Sequence, residues 1–345
     1  MAATPSGMRN PGVVFPSPGE IELQDRPMPS PGPDEVLLRT RRSMVSPGTE
    51  LTVLSGDYRE GSAWARYGRY PFVAGYSAAA EVVQKGADVD GLEVGDVVAS
   101  ATPHARFVVA HAADVHAVGD RPVALDHVPF VTLGQVAMNG VRRARVTWGE
   151  TVVVFGAGIV GQLAARFCRV AGARPVVVID PLDHRLAMLP RDPAVIPLRP
   201  DVGDLRSAVA EATSGHMADV VFEATGQAGL IPGEFAALKP QEGRFILLSS
   251  PRGTTAFDFH DLCNAPSHTI IGAHNESHPA AGCGPDAWTS ARHAELMLDL
   301  LAGGDLNVEP LITSRLACGD AREAYARLST RLQQELGIIL DWDLA

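Results

Sequence analysis

Cysteine is scarce in this sequence: Cys168, Cys263, Cys283 and Cys318 are the four in a chain of 345 residues. None belongs to a Cys-x-x-Cys pair, which argues against both a disulfide framework and a zinc ribbon. Free thiols in a reducing cytoplasm are the expectation. Long apolar runs are also missing. No stretch reaches the ~18 residues of a membrane-spanning helix. The opening MAATPSGMRNPG lacks the apolar core of a signal peptide and reads as a flexible lead-in. Positive charge is in deficit, with 29 Lys and Arg against 40 Asp and Glu and a formal net charge of −11. That balance disfavours nucleic acid and anionic membranes as partners. A cytoplasmic protein acting on a small molecule is expected.

What is present is an ordinary globular composition, 46% hydrophobic and 20% charged, in a chain longer than one compact core usually takes. Two domains are therefore expected. Residues 11 to about 125 are β-rich. GEIELQDRPMP, EVLLRTRRSMV, AAAEVVQKGADVDGLEVGDVVAS and HARFVVAHAADVHAV read as short strands punctuated by Gly and Pro, which suggests a small, curved antiparallel barrel. The character changes near residue 126. DHVPFVTLGQVAMNGVRRARV reads as a helix with Pro129 near its start. ETVVVFGAGIVGQLAARFCRVAGARPVVVID then gives strand, glycine turn, helix and strand, a βαβ unit. ADVVFEATG, GRFILLSS and TIIGAHN are further strands of the continuous apolar kind that parallel sheets require, and PGEFAALKP between them reads as helical. Near the end, WTSARHAELMLDLLAGG reads as a helix with Thr289 or Ser290 as N-cap and Gly303–Gly304 as its stop. GDAREAYARLST is a second helix and ELGIILDW a closing strand. The fold class is thus α/β with two domains: a β-barrel-type domain from 1–125 and 276–345, and a doubly wound Rossmann cofactor domain from 126–275.

The glycine turn carries the cofactor reading. Gly156, Gly158 and Gly161 form G-x-G-x-x-G between a Val-rich strand and a helix. The first allows the tight turn, the second lets backbone approach a pyrophosphate, and the third lets helix and strand pack closely. Ile159 and Val160 lie within the turn, where free N–H groups and the helix dipole favour a phosphate. Asp180 ends the next strand, placed to accept hydrogen bonds from both ribose hydroxyls of NAD and to repel the 2′-phosphate of NADP. Arg185 is a candidate to stack on adenine or to soften that discrimination. Ligands bind beyond the carboxyl ends of such strands, so Thr225, Gly226 and Ser249 should border the cofactor. Ala273 and His274, with Asn275, should approach the nicotinamide.

Taken in order, these features resemble the medium-chain dehydrogenase/reductase superfamily. The resemblance is carried by GYSAAAEVVQKGADVDGLEVGDVV (75–98) and GAGIVG, and it covers almost the whole chain. It implies a GroES-like catalytic domain and an NAD-binding Rossmann domain. The Ser-x-Gly-Thr-Glu stretch within SMVSPGTE (43–50) is similar to a zinc-free branch that includes bacteriochlorophyllide dehydrogenases and dehydrogenases of secondary metabolism. The family's zinc-binding Cys aligns with Ser46, its Gly-His-Glu histidine with Tyr76 and the glutamate with Ser77. TLGQVAMNG (132–140), where a third ligand belongs, holds no Cys, His, Asp or Glu. The four-Cys structural zinc loop is also missing. Histidines elsewhere, His104 among them, show no close ligand spacing within one element, so no metal is expected.

Without a metal, hydride transfer still needs a donor or proton acceptor at the substrate oxygen. Tyr76 is a candidate for that role, with Ser46, Thr49 and Glu50 on a facing loop. Glu50 would serve as a base, bind substrate hydroxyls, or bond the N–H groups of its own turn. His274 would touch substrate or the carboxamide. SGDYREGSAWARYGRYPF (55–72) is rich in Tyr, Arg and Trp, which favours a hydroxylated substrate such as a sugar, a cyclitol or a nucleoside-like alcohol. The expectation is an NAD-dependent, zinc-independent dehydrogenase interconverting a secondary alcohol and a ketone. An enone C=C reductase and a non-catalytic NAD-binding protein are the alternatives. The apolar edge HTIIGAHN suggests a homodimer paired through the last strand of the cofactor domain, as the resemblance also implies.

Overall fold

The computed structural model describes residues 8–200, 204–279, 287–331 and 334–344; Cys283 lies outside them. The chain divides into two compact units. One comprises residues 1–132 and 294–345, the other residues 133–293. These divisions fall 7 and 18 residues beyond the boundaries drawn from the sequence at 125/126 and 275/276.

The second unit is built on a six-stranded parallel sheet. Its spatial order is Val195–Leu198, Val176–Ile179, Val152–Phe155, Val220–Glu223, Arg244–Leu247 and Thr269–Gly272. In order of sequence that is 3-2-1-4-5-6, the doubly wound arrangement. The three central strands, VVVF, VVVI and VVFE, are buried along their whole length. Sheets covered by helices on both faces need such continuous apolar runs, so the period-2 alternation is missing here. Each fully buried Val contributes about 1.5–3 kcal/mol. The outer strand Thr269–Gly272 is mostly exposed, with Ile270 at 38%. One strand was not expected, and one helix is shorter than expected. The strand Val195–Leu198 had no strong apolar run to mark it. PGEFAALKP forms only a helical turn at Ile231–Glu234 and a tighter one at Phe235–Ala237, because Pro232 and Gly233 interrupt the backbone pattern a longer helix needs.

The first unit holds a seven-stranded sheet and a three-stranded one. The larger runs Ile312–Ala317, Gly337–Asp341, Glu35–Val45, Ala78–Lys85, Val97–Ser100 and Val115–Ala117, with Phe107–His111 also pairing on Glu35–Val45. Glu35–Val45 is the pivot. Its register against Ala78–Lys85 shifts between Leu37 and Leu38 and again between Thr40 and Arg42. Such bulges bend the strand and raise its twist, so its first half pairs with Phe107–His111 and its last residues with Gly337–Asp341. Every strand pairing between residues 11 and 117 is antiparallel, as expected; among the later strands Ile312–Ala317 and Gly337–Asp341 run parallel, joined by the helix Ala321–Thr330. The closing helix Ser290–Gly303 starts as read, with Thr289 Oγ1 accepting from Arg292 N–H, and Gly304 leaves it at φ +78°. Among the described residues no helix is long and apolar enough to cross a membrane.

Candidate active site and cofactor cradle

In the second unit the glycine turn has the shape a pyrophosphate needs. Gly156 follows its strand at φ +93°, and a Cβ there would come 2.8 Å from Ala224 O. A Cβ on Gly161 would lie 1.8 Å from Gly156 O, so any side chain would push the helix Ile159–Val170 off the strand. Gly158, the N-cap, is different: nothing lies within 4 Å of its missing Cβ, and no side chain caps the turn. The first N–H groups of the helix, among them those of Ile159 and Val160, have no side-chain cap from Gly158, and the space beside Gly158 is open, as a phosphate cradle requires.

Asp180 follows Ile179 at the end of its strand and is 3% exposed. Its carboxylate accepts from Ala157 N–H at 2.8 Å and from Leu182 N–H at 2.9 Å. One side chain thus ties the glycine turn to the ribose end of the cradle and retains lone pairs for hydroxyl donors. Arg185 Nη1 lies 3.7 Å from the same carboxylate, and its Nε is buried without a partner. On the far side, Glu223 at the end of its strand organises three of the expected cofactor neighbours. Glu223 Oε1 accepts from Thr225 N–H (2.7 Å), Thr225 Oγ1 (2.7 Å) and Gly226 N–H (2.8 Å), and Oε2 accepts from Ser249 Oγ. Sequence reading singled out Thr225, Gly226 and Ser249 and missed the acid that holds them. Its signal was an acid ending an otherwise apolar strand. Gly226 takes φ +74° in that turn. Ala273 is buried just past the edge strand. His274 is exposed, accepts from Glu276 N–H at 3.3 Å, and has its carbonyl held by Asn139 Nδ2 at 3.0 Å. The residues of this unit fit a dinucleotide.

In the first unit, the structure brings Ser46, Thr49, Glu50 and Tyr76 together. Thr49 and Glu50 do not lie on a loop as expected. They belong to the helix Pro47–Ser55, with Pro at the tolerated first position. Ser46 is its N-cap by backbone, yet its hydroxyl makes no capping bond. It turns instead to Tyr76 Oη at 2.5 Å. The capping is done in reverse: Glu50 Oε1 accepts from Ser46 N–H at 2.7 Å, one residue later than in the usual capping box. Forgoing a serine cap costs about 1 kcal/mol, and what the fold gains is a hydroxyl delivered to Tyr76. Tyr76 Oη donates to Thr49 Oγ1 at 3.1 Å, so Ser46 is the donor in the shorter bond. Thr49 accepts there, which leaves its own hydrogen for an incoming oxygen. Burial, opposed by the bonds from Ser46 and Thr49, pushes the Tyr76 phenol up to about 12, so at neutral pH it stays a donor.

Glu50 is 1% exposed and faces inward. Besides Ser46 N–H it accepts from His104 Nε2 at 3.1 Å and from Tyr325 Oη. His104 and Tyr325 are both fully buried. Ser77 Oγ donates to Pro129 O at 2.5 Å. As a donor set for zinc this region is poor. Ser46, Tyr76 and Ser77 present neutral hydroxyls, whereas zinc takes thiolate, imidazole and carboxylate. Glu50 already accepts three hydrogen bonds, and both ring nitrogens of His104 are engaged. Among the described residues no group of three or more His, Cys, Asp or Glu is placed to hold a metal ion.

Comparison with known proteins agrees with the two-unit fold. Residues 32–157 match the family described as Alcohol dehydrogenase GroES-like domain, and residues 160–282 match Zinc-binding dehydrogenase. D-guloside 3-dehydrogenase of Escherichia coli (strain K12) is 26% identical over 329 residues, covering 88% of this chain and 91% of that protein. L-threonine 3-dehydrogenase of Pyrococcus horikoshii is 27% identical over 323 residues, covering 85% and 87%. The solved structure of galactitol-1-phosphate dehydrogenase from Escherichia coli superposes with a TM-score of 0.80 at 17% identity, covering 96% of this chain and 99% of that one. With both family segments in sequence order and a two-unit α/β fold of the same kind, the chain belongs to the medium-chain dehydrogenase/reductase superfamily of oxidoreductases.

Proposed function

We propose that this protein is an NAD-dependent dehydrogenase that interconverts a secondary alcohol and a ketone on a hydroxylated small molecule, without a catalytic zinc. The observation that carries the reading is the directed hydroxyl chain from Ser46 to Tyr76 to Thr49, which stands where the sequence resemblance implies metal ligands. NAD supplies the hydride chemistry when bound. In ketone reduction Thr49 gives its hydrogen to the substrate oxygen and is reprotonated through Tyr76 and Ser46, with water as the final proton source; in alcohol oxidation the hydroxyl hydrogens reverse and the released proton leaves along the same chain to water. A donor aimed at an oxygen that gains charge in the transition state lowers the barrier, as a Lewis acid would. Glu50, buried and already accepting three hydrogen bonds, serves as the anchor of this chain and not as its base. Asp180 supports the preference for NAD, because its carboxylate would lie against a 2′-phosphate. His274, exposed after the edge strand, is assigned an outer role in contact with the substrate. The relatives include dehydrogenases named for a guloside and for threonine, and the guloside case supports a polyol or glycoside substrate. The exposed edge strand Thr269–Gly272 supports a homodimer paired across a two-fold axis, and a monomeric mass by light scattering would contradict it.

The direct test is turnover by chelator-treated protein of known zinc content. With NAD and a panel of D-sorbitol, myo-inositol and methyl β-D-glucopyranoside, product analysis should find a ketone, and added zinc should leave the rate unchanged. Activity that vanishes on chelation and returns with zinc would refute the metal-free reading. Reduction of an enone at its C=C bond, in the absence of alcohol oxidation, would replace the reaction itself.

A further inference from the structure

The hydroxyl chain is the visible end of a longer network, most of it fully buried. Trp342 Nε1 donates to Ser43 Oγ at 2.8 Å, and Ser43 Oγ lies 2.8 Å from His104 Nδ1. Indole N–H is a donor only, so Ser43 accepts from Trp342 and has one hydrogen left to donate. His104 Nδ1 is the partner for that hydrogen. Nε2 then carries the ring proton and donates to Glu50 Oε2 at 3.1 Å, beside Tyr325 Oη. In this neutral tautomer every donor meets an acceptor. The donors run from Trp342 through Ser43 and His104 to Glu50, and the same carboxylate accepts from the backbone N–H of Ser46 on its other side.

The backbone reinforces it. His104 N–H donates to Ala74 O at 2.7 Å. Between Ala74 and Tyr76, Gly75 sits at φ +94°, and a Cβ there would come within 2.6 Å of the His104 ring and backbone. The segment that carries Tyr76 therefore lies directly against His104. Both ends of the short Ser46–Tyr76 bond are thus set by the same group: Ser46 through Glu50, and Tyr76 through the Gly75 contact. Tyr325 anchors the carboxylate from the helix Ala321–Thr330, edge-on to Phe15 at 5.2 Å. Neither His104 nor Tyr325 touches Tyr76 by a hydrogen bond.

We propose that His104 and Tyr325 are positioning residues for the Ser46–Tyr76 hydroxyl pair, acting through the Glu50 carboxylate. The functional part of this rests on the reading above, in which that pair serves the substrate. The geometric part can be tested apart from it. The chain has five tyrosines, so isotope labelling at the phenol carbon gives a small NMR spectrum in which Tyr76 is assigned by its loss in Tyr76→Phe. Ser46→Ala removes the hydroxyl partner directly and supplies the reference shift. Tyr325→Phe and His104→Gln should both move the Tyr76 resonance toward its place in Ser46→Ala. Ser43→Ala, at the far end of the network, should move it by less. If His104→Gln does not fold, Tyr325→Phe and Ser43→Ala decide the matter. A Tyr76 resonance unmoved in folded Tyr325→Phe would overturn the proposal. Kinetics separate the two ideas: in the polyol assay, kcat should fall several-fold in Tyr325→Phe while KM for NAD stays put. If Tyr76→Phe destroys turnover and Tyr325→Phe leaves kcat intact, the positioning role fails and the catalytic reading stands. If Tyr76→Phe is fully active, the catalytic reading fails, and the resonance shifts alone decide the positioning.

Discussion

Replacing Glu50 by glutamine keeps the shape of the side chain and removes its charge. The carboxylate is 1% exposed and receives donors from Ser46 N–H at 2.7 Å, His104 Nε2 at 3.1 Å and Tyr325 Oη. Bonds to a charged group contribute about 1.5–3 kcal/mol net, those to a neutral one about 0.5–1.5. Three such bonds losing about 1 kcal/mol each sum to about 3 kcal/mol. The amide NH₂ also has to face one of these donors. The cheapest arrangement keeps the amide oxygen on Ser46 N–H and turns the NH₂ toward His104 and Tyr325, which would have to become acceptors. His104 would then shift its proton to Nδ1, and the Ser43 and Tyr325 hydroxyl hydrogens would lose their acceptors. For a unit of this size the loss lowers the melting temperature by roughly 6–12 °C. Differential scanning calorimetry of Glu50→Gln reads this directly, with NAD binding to the other unit as a check that the protein is intact. A variant that melts with the wild type and turns over at the wild-type rate would refute the claim that Glu50 is the hub.

Two further outcomes follow from other parts of the molecule. At an effective dielectric constant near 20, two like charges about 4 Å apart repel by about 4 kcal/mol. Asp180→Ser should therefore reduce the preference for NAD over NADP by tenfold or more, read from kcat/KM with each; an unchanged ratio would remove Asp180 from discrimination. Glu234 is buried with neither carboxyl oxygen partnered, and burial, with Glu223 nearby, pushes it up from 4.5 to about 8. The folded state then holds a proton that the unfolded state releases near 4.5, so this group's contribution to stability is full below that value and is lost as pH rises through about 8. Glu234→Gln should flatten that decline, making the variant relatively more stable on the alkaline side in melts across this range. A decline as steep as that of the wild type would place its origin elsewhere.

How much of this could be read from the sequence depended on distance along the chain. The cofactor cradle was legible because its parts are local. The strand, the three glycines, the helix and Asp180 lie within 30 residues, and each glycine carries a steric reason that the structure repeats at Gly156 and Gly161. The short helix Pro47–Ser55 reads as a loop in the sequence because Pro and Gly open it, although a proline in the first turn is compatible with helix. Glu50 was recognised as a candidate without its role. Its partners come from positions 104 and 325, and no periodicity relates those to position 50. Glu223 escaped notice because it completes a buried strand, where an acid is unusual, and two of its four donors are backbone amides that any sequence supplies. Tyr76 and Ser46 were paired by resemblance. Their 2.5 Å bond and the uncapped helix behind it belong to the folded chain.

The central claim is that a tyrosine-centred hydroxyl chain does the work of a metal. Its most direct measurement is kcat/KM of Tyr76→Phe in the NAD-linked oxidation of the polyol panel, with NAD binding measured alongside. The account predicts a fall of about a hundredfold with NAD affinity unchanged, because the ring stays and only the donor goes. Wild-type turnover by Tyr76→Phe would contradict it.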